Sequence, residues 1–345
     1  MRPPGEDSKM RESARSGTGT RPVVLFVLGQ GRSGTSALAR VLSLCGGALP
    51  AEVRQADAHN PRGYWEPRET LVLNETILRR HGSAGFDPSL RLLEVGAFEP
   101  EEKVAWTAKI GTFLSGLPGA PLVVIKDTHI TALSDLWFAA ARSAGLDVAA
   151  VIALRHPQEV IASLAAAGPT TPELASALWL KNCLLAERYT RDVPRVFVEY
   201  ANLLDDWRRE VSRISEAIAF DFDARDEAVI DDFLAPTLRR QRHTGPVTDI
   251  FGADWMSAVY QAMHAAARDE SWDEAVLDRV FEAYRRSEHD FRTAFENSRD
   301  LWAMGADRAY SNSLLYRLSV LKMIRSPRAM INRNKGPRAP RRSAE

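Results

Sequence analysis

Residues Val23–Leu28 are an unbroken apolar, β-rich run that ends in a glycine-rich turn, Gly29–Gly34. Six apolar residues in a row predict a strand buried on both faces rather than one with a wet side. Leu38, Val41, Leu42 and Cys45 then recur at helical spacing, and Gly46 supplies a helix stop. A strand, a glycine turn and a helix in immediate succession allow few architectures. All of them bring backbone N–H groups and the positive end of a helix to one point.

The remainder of the chain fits that unit. Helical patterns cover about Glu69–Arg80 and Glu101–Leu114, and a second buried strand, Leu122–Ile125, is closed by Lys126 and Asp127. A helix over about Ala132–Ser143 leads to a third strand, Val148–Leu154, closed by Arg155 and His156. Pro157 opens a helix, a position that suits proline. Another helix spans about Pro172–Arg191, a fourth strand covers Arg195–Val198, and the rest is mainly helical. Strands alternating with helices predict an α/β fold: a P-loop-like parallel sheet flanked by helices, with a helical C-terminal portion. Ligands of such sheets bind at the carboxyl ends of the strands. Gly29, Lys126 and Arg155 all follow strand ends, so they are expected to converge.

Gly31, Arg32, Ser33, Gly34, Thr35 and Ser36 combine an anion-binding turn with three hydroxyls and a fixed positive charge. This is a phosphate site, and three readings of the ligand compete. Gly29, Gly31 and Gly34 match the dinucleotide fingerprint, but Ala51–Asn60 is not the second strand that fold requires. A Walker A loop needs Lys-Ser/Thr after its last glycine, whereas Thr35-Ser36 follow Gly34 here.

The third reading is a resemblance. Arg32-Ser33-Gly34-Thr35-Ser36 resembles the 5′-phosphosulfate loop of sulfotransferases that use 3′-phosphoadenosine 5′-phosphosulfate (PAPS). Arg155 at a strand end, with Ser163 eight positions later, is similar to the 3′-phosphate site of that family. A guanidinium suits a bidentate clamp on phosphate, and two helical turns bring the serine to the same group. Other stretches resemble the bacterial and carbohydrate-type group: Asn60-Pro61-Arg62-Gly63-Tyr64-Trp65-Glu66, Val124-Ile125-Lys126-Asp127, Val196–Leu204, and more faintly Phe233–Arg239. The resemblance spans about Val23 to Arg240. It departs at Ala37, where animal cytosolic members carry an adenine-stacking Trp, and at Thr128-His129, where the group often has Pro-Arg.

The resemblance implies sulfuryl transfer from PAPS to an acceptor hydroxyl of a carbohydrate, glycolipid or other small molecule, without a metal. Fixed cations would stabilise charge on the bridging oxygen. Arg32 is the first choice and Lys126 the second, the other reading of Lys126 being a strand-end ion pair with Asp127. General-base candidates are Glu66, His129 and His59. Glu66 also reads as an ordinary acid ahead of a helix. Tyr64 and Trp65 read equally as an acceptor platform or as loop anchors. A nucleotide-dependent kinase and a catalytically inactive nucleotide-binding scaffold are the alternatives.

Charge and composition narrow the partners. Lys+Arg and Asp+Glu are equal at 45 each, which argues for neither nucleic acid nor a membrane as partner. Eight basic residues and no acid lie between Lys322 and Arg342, and a solvated tail is the expected reading. Leu314, Leu315, Leu318, Leu321 and Ile324 form an apolar stripe beside Arg317, Lys322 and Arg325. That stripe reads as a core-packed terminal helix or as an interfacial one giving peripheral membrane contact. Cys45 and Cys183, the only two cysteines, fit a reducing compartment. With no apolar N-terminal core of a signal peptide, the expected location is cytoplasmic. The expected divisions are a disordered tail over 1–21, the catalytic domain over 22–300, the terminal helix over 301–325 and the basic tail over 326–345.

Overall fold

The computed structural model describes residues 21–57, 60–168, 170–234, 241–251, 253–287 and 292–293. His59, Ala235–Arg239, most of the N-terminal tail, the terminal helix and the basic tail lie outside the described residues.

Four parallel strands carry the fold: β1 (Val23–Leu28), β2 (Leu122–Lys126), β3 (Asp147–Leu154) and β4 (Arg195–Glu199). Their order across the sheet is β2-β1-β3-β4, with all three pairings parallel. The chain leaves β1 toward β2 on one side and β3 toward β4 on the other. The carboxyl ends of β1 and β3 therefore flank a switch point, where open α/β sheets form their ligand crevice.

Alternation along β1 divides the hydrophobic core in two. Val24, Phe26 and Leu28 join one cluster, and Leu25 and Val27 the other. Helix α1 (Thr35–Leu44) and helix α8 (Trp207–Ile218) cover the Leu25 face, through Leu38, Leu42, Val211 and Ile214. The Phe26 face packs under α4 (Ile130–Ser143) and α6 (Pro172–Tyr189), with Trp137 and Trp179 fully buried. Each indole N–H finds an acceptor: Trp137 Nε1 donates to Asn74 Oδ1 at 2.9 Å, and Trp179 Nε1 to the Arg155 carbonyl at 3.1 Å. The second bond ties the core directly to the residue after β3.

Between these lie α2 (Arg68–Arg80), α3 (Pro100–Ser115), α5 (Pro157–Ala167) and α7 (Tyr200–Asp205). Then come α9 (Glu227–Phe233), α10 (Trp255–Ala266) and α11 (Glu274–Arg286). β2 runs through Lys126, so the lysine belongs to the strand and its side chain is buried with it. Cys45 and Cys183 are free and buried; burial pushes the Cys45 thiol up to about 11. No helix among the described residues is long and apolar enough to cross a membrane.

Candidate functional site

The turn after β1 is shaped by close approach. Gly29 has φ 117°, and a Cβ there would lie 2.6 Å from the Ala153 carbonyl oxygen of β3. Its N–H donates to Thr131 Oγ1 at 3.0 Å, and buried Gln30 accepts from Asn182 Nδ2 at 2.6 Å. Arg32 is left-handed at φ 73°, a strained conformation for a residue with a Cβ. Gly34 caps α1 at φ 88° with no side-chain cap. The first N–H groups of α1 thus have no intrahelical acceptor and open toward the cleft. Ser33 Oγ is buried with no hydrogen-bond partner among the described residues.

Arg32, Gly34, Thr35, Ser36, Arg155 and Ser163 line one cleft of about 270 Å³, whereas Gly29 and Lys126, expected to converge there with Arg155, are not part of its lining. Gly31 and Ser33 form the turn without lining it. Arg32 Nε donates to Ser163 Oγ at 3.0 Å. Arg155 Nη1 donates to the Arg32 carbonyl at 3.0 Å, and Arg155 Nη2 to the Gln241 carbonyl at 3.0 Å. Arg155 Nε pairs with Glu159 Oε2 at 2.8 Å, one turn along α5. The other oxygen of Glu159 accepts from the His243 N–H at 3.0 Å. Arg155 is therefore a buried, braced guanidinium and not a surface ion pair.

Asn60, Arg62, Gly63, Tyr200, Phe233 and Gln241 complete much of the wall. The sequence pointed to the segments of several of these but to none as a cleft residue. Tyr200 directly follows β4, the signal that singled out Arg155, and its ring sits so close to Gly34 that a Cβ there would meet Cδ2 at 2.3 Å. Among the described residues, three arginines and no carboxylate line the cleft. The described lining is therefore positively charged, with the rings of Tyr200 and Phe233 alongside.

Lys126 and Glu66 stand behind this wall. Both are buried, and Lys126 Nζ ion-pairs with Glu66 Oε1. Nζ also reaches Ser36 Oγ at 3.4 Å and the Tyr64 carbonyl at 3.5 Å. The partner of Lys126 is thus Glu66, sixty residues away, and not Asp127. Arg54 Nη1 lies 3.9 Å from the second Glu66 oxygen.

Asp127 pairs instead with His129, Nδ1 to Oδ1 at 2.8 Å, and accepts from Asn74 Nδ2 at 2.8 Å. Burial acts to lower the His129 pKa. The charge and hydrogen bond of Asp127 outweigh it, with Glu66 and Glu75 behind, and push the imidazole up to about 9. Burial likewise opposes ionisation of Asp127, but the charge and hydrogen bonds of His129, with Asn74, hold its carboxyl below the ordinary range.

Tyr64 and Trp65 are held within their loop. Tyr64 Oη donates to the Asp57 carboxylate at 2.8 Å under the Arg54 guanidinium. Trp65 Nε1 donates to the Arg62 carbonyl at 3.0 Å, with Arg40 over its ring.

No family model and no curated protein matches the chain. Solved structures do. A sulfotransferase domain from the curacin biosynthetic pathway is 14% identical, over 73% of this chain and 99% of that one, with a TM-score of 0.39. A sulfotransferase domain of the Synechococcus olefin synthase is 19% identical, over 78% and 96%, with a TM-score of 0.38. A sulfotransferase from Mycobacterium tuberculosis is 16% identical, over 67% and 74%, with a TM-score of 0.33.

Proposed function

We propose that this protein is a sulfotransferase that moves a sulfuryl group from PAPS to an acceptor hydroxyl. The observation that carries the reading is the pairing of Arg155 and Ser163 with the Arg32 loop in one cleft whose described lining holds no carboxylate. A ligand with two separate anionic groups fits it. One group meets the glycine turn and α1 N-terminus, and the other meets Arg155 and Ser163. Ser33 Oγ, a buried hydroxyl with no partner among the described residues, is a further donor suited to the first group.

PAPS supplies a sulfur whose bond to the phosphate oxygen breaks as the acceptor oxygen attaches, the electron pair staying on the phosphate. This chain's residues do the rest. Arg32 holds positive charge where that oxygen becomes anionic. Lys126, reaching Ser36, adds a second cation from below the loop. His129, with its pKa at about 9, already carries both ring protons at neutral pH and so is set aside as the base, which leaves Glu66 and His59 as the candidates. The acceptor is a small molecule or glycan, with the reaction on the cytoplasmic side and no nucleic acid involved.

The test is isothermal titration with adenosine 3′,5′-bisphosphate, AMP and ATP with magnesium. It is run on the wild type and on Arg155→Ala/Glu159→Gln, which leaves no carboxylate buried alone. The bisphosphate should bind at least tenfold tighter than AMP, and the double variant should erase that preference. Equal binding of AMP and bisphosphate, or tighter binding of ATP, would sink the reading and favour a kinase.

A further inference from the structure

Residues 241–248 form a strap across the start of α5, and three bonds fasten it. Arg155 Nη2 donates to the Gln241 carbonyl at 3.0 Å, the His243 N–H to Glu159 Oε1 at 3.0 Å, and Gln158 Nε2 to the Thr248 carbonyl at 2.9 Å. Just beyond the strap, the Asp249 carboxylate accepts from the Met256 N–H at 2.8 Å and from Ser257 Oγ at 2.6 Å, which pins that end to α10. Lifting the strap would take an acceptor from Arg155 and a donor from Glu159, the two halves of the buried pair beside the cleft.

The strap is seated on a second histidine. The His243 and His156 rings lie 4.6 Å apart, centroid to centroid, tilted by 31°. The strap curls around His243: Nε2 lies 3.3 Å from the Pro246 carbonyl, and a Cβ on Gly245 would meet it at 3.0 Å. His156 is 7% exposed, with the Tyr260 ring of α10 edge-on at 4.8 Å. Its Nδ1 is buried with no hydrogen-bond partner among the described residues, so a proton added there meets no acceptor.

Two neutral imidazoles stack, whereas two imidazolium ions at this distance repel. The carboxylates nearby are engaged elsewhere. Glu159 pairs with Arg155, and Glu199 accepts from Tyr260 Oη at 2.6 Å and meets His264 Nδ1 at 2.7 Å. Arg155 and Arg242, next in sequence to the two histidines, add positive charge. Burial, then the nearby His243, holds the His156 imidazole below its ordinary range, against Glu159, Glu199 and the Gly245 backbone. A separated pair takes up protons more readily than a seated one, so acid favours separation.

We propose that the strap is an acid-released latch on the anion site: His243 seated on His156 keeps Arg155 and Glu159 braced, and protonation of the pair lifts the strap and loosens Arg155. The effect on ligand rests on Arg155 being an anion-binding group, as argued above.

Hydrogen exchange on the full chain reads the strap directly, with each amide's intrinsic rate divided out and β1 as the reference for global unfolding. From pH 7.5 to pH 5.5, protection of 241–248 should fall about tenfold while that of β1 holds. His243→Phe keeps a ring on His156 without a second charge, and its strap protection should change less than about twofold. His264→Gln should respond as the wild type does. Titration with adenosine 3′,5′-bisphosphate gives the consequence. Wild type and His243→Phe should match at pH 7.5, and wild type should bind about tenfold more weakly than the variant at pH 5.5. Comparing the two proteins at one pH removes the ligand's own titration. Strap protection that ignores pH in wild type, or that falls as far in His243→Phe, would overturn the latch. So would loss of the response in His264→Gln, which would move the switch to Glu199. Equal weakening of both proteins at pH 5.5 would uncouple the strap from Arg155 and overturn it too. Failure of every protein to bind the bisphosphate at pH 7.5 would strike at the sulfotransferase reading instead, and exchange, which needs no ligand, would still decide the latch.

Discussion

Arg32 Nε donates to Ser163 Oγ at 3.0 Å across 131 positions of sequence, and Arg155 returns a bond to the Arg32 carbonyl. The loop after β1 and helix α5 are thereby braced against each other before any ligand arrives. Preorganised donors lose little reorganisation energy when charge appears between them.

The backbone of Arg32 sits at φ 73°, where glycine is at ease and arginine is not. Arg32→Gly should therefore change thermal stability little, by about 1 kcal/mol in either direction, since relieved strain offsets a lost hydrogen bond and a looser unfolded chain. Affinity for adenosine 3′,5′-bisphosphate should nonetheless fall by more than tenfold. Paired melting curves and titrations check the contrast, and a loss of stability and affinity in proportion would count against it.

Gly34→Ala should fail in both respects. The added Cβ would stand 2.3 Å from Tyr200 Cδ2 at a left-handed φ. We expect destabilisation of about 2 kcal/mol or more, and no measurable nucleotide binding. Chemical denaturation gives the first quantity; a variant as stable as wild type would contradict the close packing.

Arg155 and Glu159 form a pair whose side chains are almost wholly buried. Removing either alone strands a charge, which costs about 3–5 kcal/mol. In a double-mutant cycle, Arg155→Ala/Glu159→Gln should recover at least 1 kcal/mol relative to the sum of the singles. Simple additivity would mean that the pair is solvated in solution.

Lys126 and Glu66 invite the same cycle with a catalytic readout added. Glu66→Gln should leave bisphosphate affinity within about threefold of wild type, because Glu66 does not line the cleft. Turnover, measured as release of adenosine 3′,5′-bisphosphate from PAPS with an acceptor found by screening, should drop about 100-fold or more. Lys126→Met should weaken both. Undiminished turnover in Glu66→Gln would remove it as the base.

His129 makes stability depend on pH. Its folded pKa, at about 9, lies above its ordinary 6.5. Its contribution is therefore complete below pH 6.5 and disappears as pH rises through 9, up to about 3 kcal/mol in all. Asp127, held low, contributes above its ordinary 3.8 and loses that as acid protonates it. Denaturation midpoints from pH 6 to 10 should decline for wild type. The decline should be flatter in His129→Gln, and equal slopes would refute the ion pair.

Strands β1 to β4 were legible from the chain to within a residue at each end. Unbroken apolar runs between polar turns have one stable fate, a strand buried on both faces. The glycine turn and the Arg155–Ser163 spacing were legible too, because each depends on neighbours within one or two helical turns. Other relationships depend on partners far off in the chain. Asp127, adjacent to Lys126, looked like its partner, yet a strand points successive side chains to opposite faces. Glu66 fills the side on which Lys126 projects, and Asp127 turns to His129 and Asn74. The partners that hold Tyr64 and Trp65, namely Asp57, Arg54 and Arg40, were likewise visible only in the folded chain. Tyr200, Phe233 and Gln241 enter the cleft only because the sheet order sets β4 and the following helices beside β3. The sequence by itself determined the elements and the glycine turn after β1, since these follow from local periodicity and backbone freedom. The tertiary structure alone decided which charges meet and which rings line the cleft, since burial forces each charge to take whichever partner the packing brings within reach.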